Sequence, residues 1–305
     1  METAALQADA LCRRFDKVEA LRGLSFEVKQ GELYGLVGPD GAGKTTAIRA
    51  LAGLIDLDGG VARVLGHNSA HGGSELRESL GLMPQQYSLY RDLTVAENLR
   101  FFSRLYCLPK ALYRERRDRL LQITRLAPFQ DRRADALSGG MYKKLALSCA
   151  LLHQPQVLLL DEPTNGVDPV SRRELWELLH EFVHGGMAVL LSTPYMDEAE
   201  RCHRVGLMHQ GRLLVEGEPQ ALLKGFDHEA YEVEGGDRDA LEQLLASRQE
   251  VRASSPAGAR LRVVLTPGGS RALAGPLAQL GARLKPAAPD FEDLFVVRIG
   301  QERAA

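Results

Sequence analysis

The 305-residue sequence lacks any uninterrupted apolar stretch as long as the ~20 residues that a membrane-spanning helix requires. Its most apolar runs, residues 157–160 and 188–191, have the length of buried β-strands. The first fifteen residues also lack the apolar core and cleavage site of a signal peptide. We therefore expect any membrane role to depend on a partner protein.

Cysteine is scarce and net charge is small. The four cysteines are scattered and none belongs to a CxxC pair, which argues against a disulfide framework or a thiolate metal site. The formal net charge of -2 gives no overall basic field to attract nucleic acid. The 45% hydrophobic and 26% charged residues are typical of an ordinary globular protein. The length suits one large domain accompanied by a small one.

A glycine-rich segment lies between the apolar residues 33–37 and a stretch with a helical pattern. Its spacing, GxxxxGK[ST], is that of a Walker A phosphate loop. Glycines let such a loop curl with its N–H groups inward, and the N-terminal end of the following helix adds positive potential. Lys44 would then meet the β- and γ-phosphates of ATP, and the Thr45 hydroxyl would bind Mg2+. The predicted nucleotide-binding residues here are Gly38, Pro39, Asp40, Gly41, Ala42, Gly43, Lys44, Thr45 and Thr46.

Two carboxylates, Asp161 and Glu162, directly follow the apolar run 157–160. Carboxylates at the end of a buried strand are costly unless they have a function. Ligands bind at that end of the strands in open α/β sheets. We expect Asp161 to hold Mg2+ through water and Glu162 to accept a proton from the attacking water. A solvated strand-end pair is the alternative, and the phosphate loop upstream disfavours it.

The order of apolar patterns predicts an α/β core followed by a smaller α+β domain from about residue 226. Expected core strands are 33–37, 157–160 and 188–192, and expected core helices are 44–54, 142–153 and 171–184, with further helices within 99–133. In the smaller domain we expect strands at 231–234 and 261–265, helices at 239–247 and 271–280, and a turn-rich stretch at 253–259.

Residues 137–141, LSGGM, resemble the LSGGQ signature of ABC transporter ATPases. The resemblance covers about residues 5–225 and is closest to the ATP-binding subunits of type-2 ABC exporters, through DEPTNGVDP at 161–169 and YMDEAE at 195–200. It implies an α/β P-loop ATPase fold with a RecA-like core, an antiparallel β subdomain and a helical subdomain at about 86–155. The implied domains are an ATPase domain at 1–225 and a small C-terminal α+β accessory domain at 226–305.

The resemblance also assigns site residues. Gln85 corresponds to a glutamine that senses Mg2+ and takes part in catalysis with Lys44 and Glu162. Phe15 stands where the family stacks a ring on adenine, and a buried strand-end aromatic is the alternative. Ser138, Gly139 and Gly140 would contact the γ-phosphate of ATP held by an opposite ATPase subunit, with Asp168 near the dimer seam.

The function implied is an ATP-hydrolysing motor of an exporter of a drug, lipid or polysaccharide. Its expected partners are integral membrane permease subunits and a second ATPase domain, as a homodimer or a mixed pair. Its expected location is peripheral, at the cytoplasmic face of the inner membrane, with no nucleic-acid partner. The alternatives are a soluble ABC ATPase acting on ribosomes or nucleic acid, and a regulatory module that binds ATP without hydrolysis. Tyr87, Tyr90 and Leu93 are expected either to line a groove for the permease or to pack locally.

Two residues depart from the family pattern. Met141 replaces the signature glutamine, and we expect little effect because the Ser138, Gly139 and Gly140 donors remain. Pro194 stands where the family has a histidine that contacts the γ-phosphate and the general base. Proline has neither an imidazole nor a backbone N–H, so a donor to developing charge is lost. His153 and His203 are candidates to replace it, although structural roles are favoured for both.

Overall fold

The computed structural model describes residues 4–86 and 89–304. The chain divides into one compact unit that ends at Leu213 and a second that begins at Leu214. The strands of the first unit and its boundary are β1 (Ala4–Phe15), β2 (Val18–Lys29), β3 (Leu33–Val37), β4 (Gly59–Val64), β5 (His67–Asn68), β6 (Leu80–Met83), β7 (Val157–Asp161), β8 (Ala188–Thr193), β9 (Arg204–His209) and β10 (Arg212–Gly217). Its α-helices are α1 (Lys44–Leu51), α2 (Gly73–Ser79), α3 (Val95–Leu105), α4 (Lys110–Ile123), α5 (Gly139–Leu151) and α6 (Pro169–His184). Short 3-10 helices lie at Ala127–Phe129, Ala134–Ala136 and Met196–Arg201.

The first unit contains two sheets. The central sheet has the strand order β10-β9-β3-β8-β7-β6, and β6, β7, β8, β3 and β9 run parallel. The other sheet has the order β2-β1-β4-β5 and is antiparallel. Leu6, Leu36 and Ile48 belong to one buried core shared by both sheets and α1. Together with the helical segment α3–α5, these sheets confirm the predicted fold class.

Two helix ends differ from those that the apolar pattern predicted, and specific contacts set both. Helix α1 ends at Leu51 because Gly53 takes a left-handed conformation (φ 67°) close to the chain at Ser69. A Cβ on Gly53 would lie 2.4 Å from the Ser69 carbonyl oxygen, so a glycine is required there. Helix α5 begins at Gly139, three residues earlier than expected, because the Ser138 hydroxyl accepts a hydrogen bond from the Met141 N–H (3.3 Å).

The second unit is the expected α+β arrangement. Its elements are α7 (Pro219–Lys224), β11 (Glu229–Gly235), α8 (Arg238–Ala246), β12 (Val251–Ala257), β13 (Arg260–Leu265), α9 (Gly269–Gln279), β14 (Ala282–Pro286) and α10 (Phe291–Ala304). The antiparallel sheet has the order β12-β13-β11-β14. The prediction of a turn-rich stretch at 253–259 is wrong for most of its length. Strand β12 lies at a sheet edge, where Pro256 is tolerated, and the turn is confined to the residues around Gly258 (φ 64°).

In the part of the chain that the structure describes, no helix combines the length and the apolar character that crossing a bilayer demands.

Candidate active site

The phosphate loop joins β3, a strand in the middle of the parallel sheet, to α1. It packs directly on neighbouring backbone. A Cβ on Gly38 would lie 2.2 Å from the Met208 carbonyl oxygen, and one on Gly43 would lie 2.3 Å from the Ala20 carbonyl oxygen. Gly43 also has a φ of 104°. Because larger residues fit at neither position, the loop keeps the tight curve that phosphate binding needs.

Lys44, the first residue of α1, folds back over this loop. Its side chain is almost fully buried, and its Nζ donates hydrogen bonds to the carbonyl oxygens of Gly38 (2.7 Å) and Pro39 (3.0 Å). Its Nζ also lies 3.8 Å from Glu162 Oε1. Burial lowers the pKa of Lys44, against the opposing effect of Glu162 and two aspartates. The loop therefore carries a desolvated cation, which suits it to a polyphosphate.

Asp161 ends β7 and is 2% exposed. Its Oδ1 accepts hydrogen bonds from the hydroxyls of Thr45 (3.0 Å) and Ser192 (2.7 Å). The structure thus places the two predicted Mg2+ ligands, Thr45 and Asp161, in direct contact. A carboxylate and hydroxyls are hard oxygen donors of the kind that Mg2+ prefers, so the residues present fit this ion.

Glu162 lies just beyond β7, and its φ of 50° is uncommon for a residue other than glycine. Its N–H donates to Ser192 Oγ (3.0 Å), which ties it to the end of β8. Its Oε2 accepts from the amides of Gln85 (2.7 Å) and Asn165 (3.1 Å). Gln85 is therefore found beside Glu162, and the carboxylate is held buried by several separate segments.

Sequence reasoning did not select Ser192, Asn165 or Lys143 as site residues. Ser192 is the next-to-last residue of β8, the strand between β3 and β7, so its position near the carboxyl edge of the sheet was the available signal. Lys143, in α5, donates from Nζ to the Glu162 carbonyl oxygen (3.3 Å), and burial lowers its pKa. The spacing of residues along the chain carried no signal for that contact.

The signature residues form a second cluster, at the N-terminal ends of α5 and α6. Ser138 caps α5, and Asp168 caps α6 by accepting from the N–H groups of Val170 (3.1 Å) and Ser171 (3.0 Å), which lowers the pKa of Asp168. A Cβ on Gly140 would lie 2.3 Å from Ser171 Oγ, and one on Gly139 would lie 2.9 Å from the Gly166 carbonyl oxygen. The two helix ends are therefore packed against each other through glycine.

Phe15, at the end of β1, is 43% exposed, so the alternative of a buried strand-end aromatic is wrong. The guanidinium of Arg13 lies 4.8 Å from the centroid of its ring. An exposed aromatic face at this position is available to stack on a planar base.

The two histidines considered as replacements for one at residue 194 lie at the opposite edge of the sheet. His203 Nδ1 accepts a hydrogen bond from the N–H of Leu33, the first residue of β3 (3.0 Å). His153 Nε2 bonds to the carbonyl oxygen of Leu80, the first residue of β6 (3.1 Å). Both are structural histidines, so neither supplies an imidazole beside Pro194.

Comparisons with known proteins agree with this geometry. A family model described as ABC transporter matches residues 21–165. The probable multidrug ABC transporter ATP-binding protein YbhF of Escherichia coli (strain K12) is 41% identical over 98% of this chain. The match covers 53% of YbhF, so the chain spans about half the length of that relative. The Nod factor export ATP-binding protein I of Rhizobium sp. (strain N33) is 35% identical over 99% of both chains.

Solved structures lead to the same family. A structure of an ATP-binding subunit of an ABC transporter matches with a TM-score of 0.67 and 32% identity, over 73% of this chain and 93% of that chain. A dimeric ABC transporter cassette, MJ0796, at 22% identity and a TM-score of 0.64, supports the fold alone. With the phosphate loop, the acidic strand end and the signature cluster all in place, the chain belongs to the ATP-binding proteins of the ABC transporter family.

Proposed function

We propose that this chain binds and hydrolyses ATP as the motor subunit of an exporter whose separate permease moves a drug, lipid or polysaccharide. The observation that carries the proposal is the convergence of a buried lysine, a hydroxyl–carboxylate pair and an amide-held glutamate at one edge of the parallel sheet. The relatives named for multidrug transport and Nod factor export support the export class.

In the proposed mechanism, the loop N–H groups and Lys44 bind the β- and γ-phosphates, while Phe15 stacks on adenine. Thr45 and Asp161 would hold Mg2+, with Gln85 as its sensor, and the bound ion would neutralise charge on the phosphates. Glu162 accepts a proton from the attacking water. The Glu162 carboxylate is buried, and few of its orientations keep the hydrogen bonds from both Gln85 and Asn165. These contacts therefore fix its orientation before water attacks.

The signature cluster supports a role at an interface between two ATPase domains. Helix α5 is capped by Ser138 and begins with Gly139 and Gly140, and helix α6 is capped by Asp168. The two helix N-termini therefore lie side by side. Such ends attract phosphate. In our proposal they meet ATP held by a second ATPase domain, either another copy of this chain or a different subunit.

A surface formed by Tyr90 and helix α3 supports contact with a permease. Tyr90 is 47% exposed and its ring meets that of Phe101 edge-on at 4.5 Å between centroids. The Tyr90 backbone is fixed by the Asn98 side chain, through bonds of 2.9 and 3.0 Å. Tyr87 lies outside the described residues. Aromatic anchors on a rigid backbone suit a groove for a partner helix, and such a partner would keep the chain peripheral at the cytoplasmic face of the inner membrane.

The test is to isolate the native chain from membranes and to measure phosphate release by the complex. We expect it to co-purify with an integral membrane protein and to hydrolyse Mg-ATP, and we expect Lys44→Ala to abolish productive ATP binding because it removes the buried cation of the loop. Isolation with ribosomes or nucleic acid would instead favour the soluble ATPase. ATP binding without phosphate release in the intact complex would favour the regulatory module.

A further inference from the structure

The loop that follows β8 offers the active site a contact that does not depend on histidine. It begins with Pro194 and Tyr195, directly after Thr193, the last residue of β8. The Tyr195 N–H donates to Thr193 Oγ1 (3.1 Å), and the guanidinium of Arg172 lies 4.7 Å from the centroid of the Tyr195 ring. Pro194 restricts its own φ to about −65°. The hydrogen bond from the Tyr195 N–H and the contact of its ring with Arg172 thus fix the position of the tyrosine.

The carboxylate of Glu198 also anchors this loop. Thr193 Oγ1 donates to Oε2 of the fully buried Glu198 (2.6 Å), and the same oxygen accepts from Thr164 Oγ1 (3.0 Å). Thr164 belongs to the segment that runs from Glu162 to Asn165. Glu198 therefore joins the Tyr195 loop to the Glu162 segment through two hydrogen bonds to one carboxylate oxygen.

From this position the Tyr195 hydroxyl donates to Asn165 Oδ1 (3.4 Å), while Asn165 Nδ2 donates to Glu162 Oε2 (3.1 Å). The negative charge of Glu162 selects the Nδ2 side of the amide, because the Oδ1 side would be repelled. Asn165 is exposed, so packing alone does not hold its side chain. The hydroxyl of Tyr195 contacts the other end of the same amide.

We propose that Tyr195, acting through the amide of Asn165, holds the Glu162 carboxylate in its working orientation. Tyr195 is then a positioning residue that acts on the general base through Asn165, where a histidine at residue 194 is expected to contact the base directly. The contact to the γ-phosphate is not replaced. This inference rests on the proposed function, in which Glu162 accepts the proton from water.

The test uses the complex that hydrolyses ATP and compares Tyr195→Phe with wild type. The variant keeps the ring against Arg172 and loses the hydroxyl. We expect kcat to fall about three- to ten-fold, as for loss of one neutral hydrogen bond. We expect KM for ATP to stay unchanged, because Tyr195 has its contacts at Asn165 and not in the phosphate loop. Tyr231→Phe is the matched control, since it removes a hydroxyl that bonds to Glu229 at the same 3.4 Å, in the second unit.

A double-variant cycle separates an effect passed from Tyr195 through Asn165 to Glu162, here called the relay, from a general weakening of the loop. Asn165→Ala should lower kcat, and Tyr195→Phe should have no further effect in that background. A wild-type kcat for Tyr195→Phe, an additive loss in the double variant, or a loss of kcat that is matched by weaker ATP binding would each overturn the proposal.

Asn165→Asp provides an isosteric second test should Tyr195→Phe fold poorly. It keeps the acceptor for Tyr195 and places a carboxylate where an amide donated to Glu162 Oε2 at 3.1 Å. We expect a loss of kcat of more than about ten-fold with retained folding, because like charges at this distance repel. Unchanged turnover would refute the relay. If wild type and Lys44→Ala release phosphate equally slowly, the proposed function itself fails, which is a different result.

Discussion

Acidification from pH 7 to pH 5 should destabilise the first unit through His153. The ring stacks on Tyr106 with 3.8 Å between centroids, and Nε2 donates to the Leu80 carbonyl oxygen. Nδ1 is buried and has no hydrogen-bond partner among the described residues. Protonation would therefore place an unpaired N–H and a charge in a buried position. Burial, together with the nearby Arg116, lowers the pKa of His153 from 6.5 to about 4.

The sign and size of the effect follow from linkage between protonation and folding. Because the folded-state pKa lies below that of the unfolded chain, the unfolded state binds more protons between pH 6.5 and 4. The contribution of His153 to the free energy of unfolding is complete above pH 6.5 and is lost as pH falls towards 4. With a pKa of 6.5 in the unfolded chain and about 4 in the folded chain, the free energy of unfolding falls by about 2 kcal/mol at pH 5.

Urea unfolding at pH 7 and pH 5 measures this loss, with fluorescence of Trp176 as the probe. Trp176 is the single tryptophan of the sequence and is buried in the same unit. In His153→Gln, which retains a donor for Leu80 and does not titrate, the loss of stability between the two pH values should be smaller by about 2 kcal/mol. His71→Gln, at an exposed position, should respond as wild type does. Equal losses in wild type and His153→Gln would refute the reasoning.

Two further predictions concern turnover. Glu162→Gln should bind ATP and lose about 10²- to 10⁴-fold in hydrolysis, because the amide keeps the shape and lacks the basic carboxylate. Trapped ATP should then hold a dimer that size-exclusion chromatography detects, whereas wild-type turnover would remove Glu162 from the role of base. Pro194→His should preserve folding and raise steady-state phosphate release several-fold at saturating Mg-ATP. A ten-fold gain needs about 1.4 kcal/mol, within reach of one hydrogen bond to developing charge. A folded variant with unchanged turnover would mean that another step, such as dimer opening, is limiting.

Several features were predictable from sequence because their chemistry is local. The phosphate loop needs glycines, a lysine and a threonine at fixed spacing, and these residues are consecutive, in the turn after β3 and at the start of α1. The carboxylates Asp161 and Glu162 follow directly on an apolar strand, so their position at the sheet edge could be inferred. The resemblance added Gln85, which the structure places 2.7 Å from Glu162.

Other features depended on contacts between distant segments. The end of α1 is set by the approach of Gly53 to Ser69, and the edge position of β12 lets Pro256 sit in a strand. His153 and His203 were candidates for the site because the sequence does not show which distant backbone groups their rings contact. Their bonds to the first residues of β6 and β3 place them at the opposite edge.

Sequence by itself determined which chemistry this protein carries, because a Walker A loop and an acidic strand end are each encoded by consecutive residues. Tertiary structure decided how the general base is held. Gln85 and Lys143 reach Glu162 from sequence separations of 77 and 19 residues, and Tyr195 reaches Asn165 across 30. Hydrogen bonds of this kind depend on the packing of β7, β8 and α5 against one another, which no local spacing specifies.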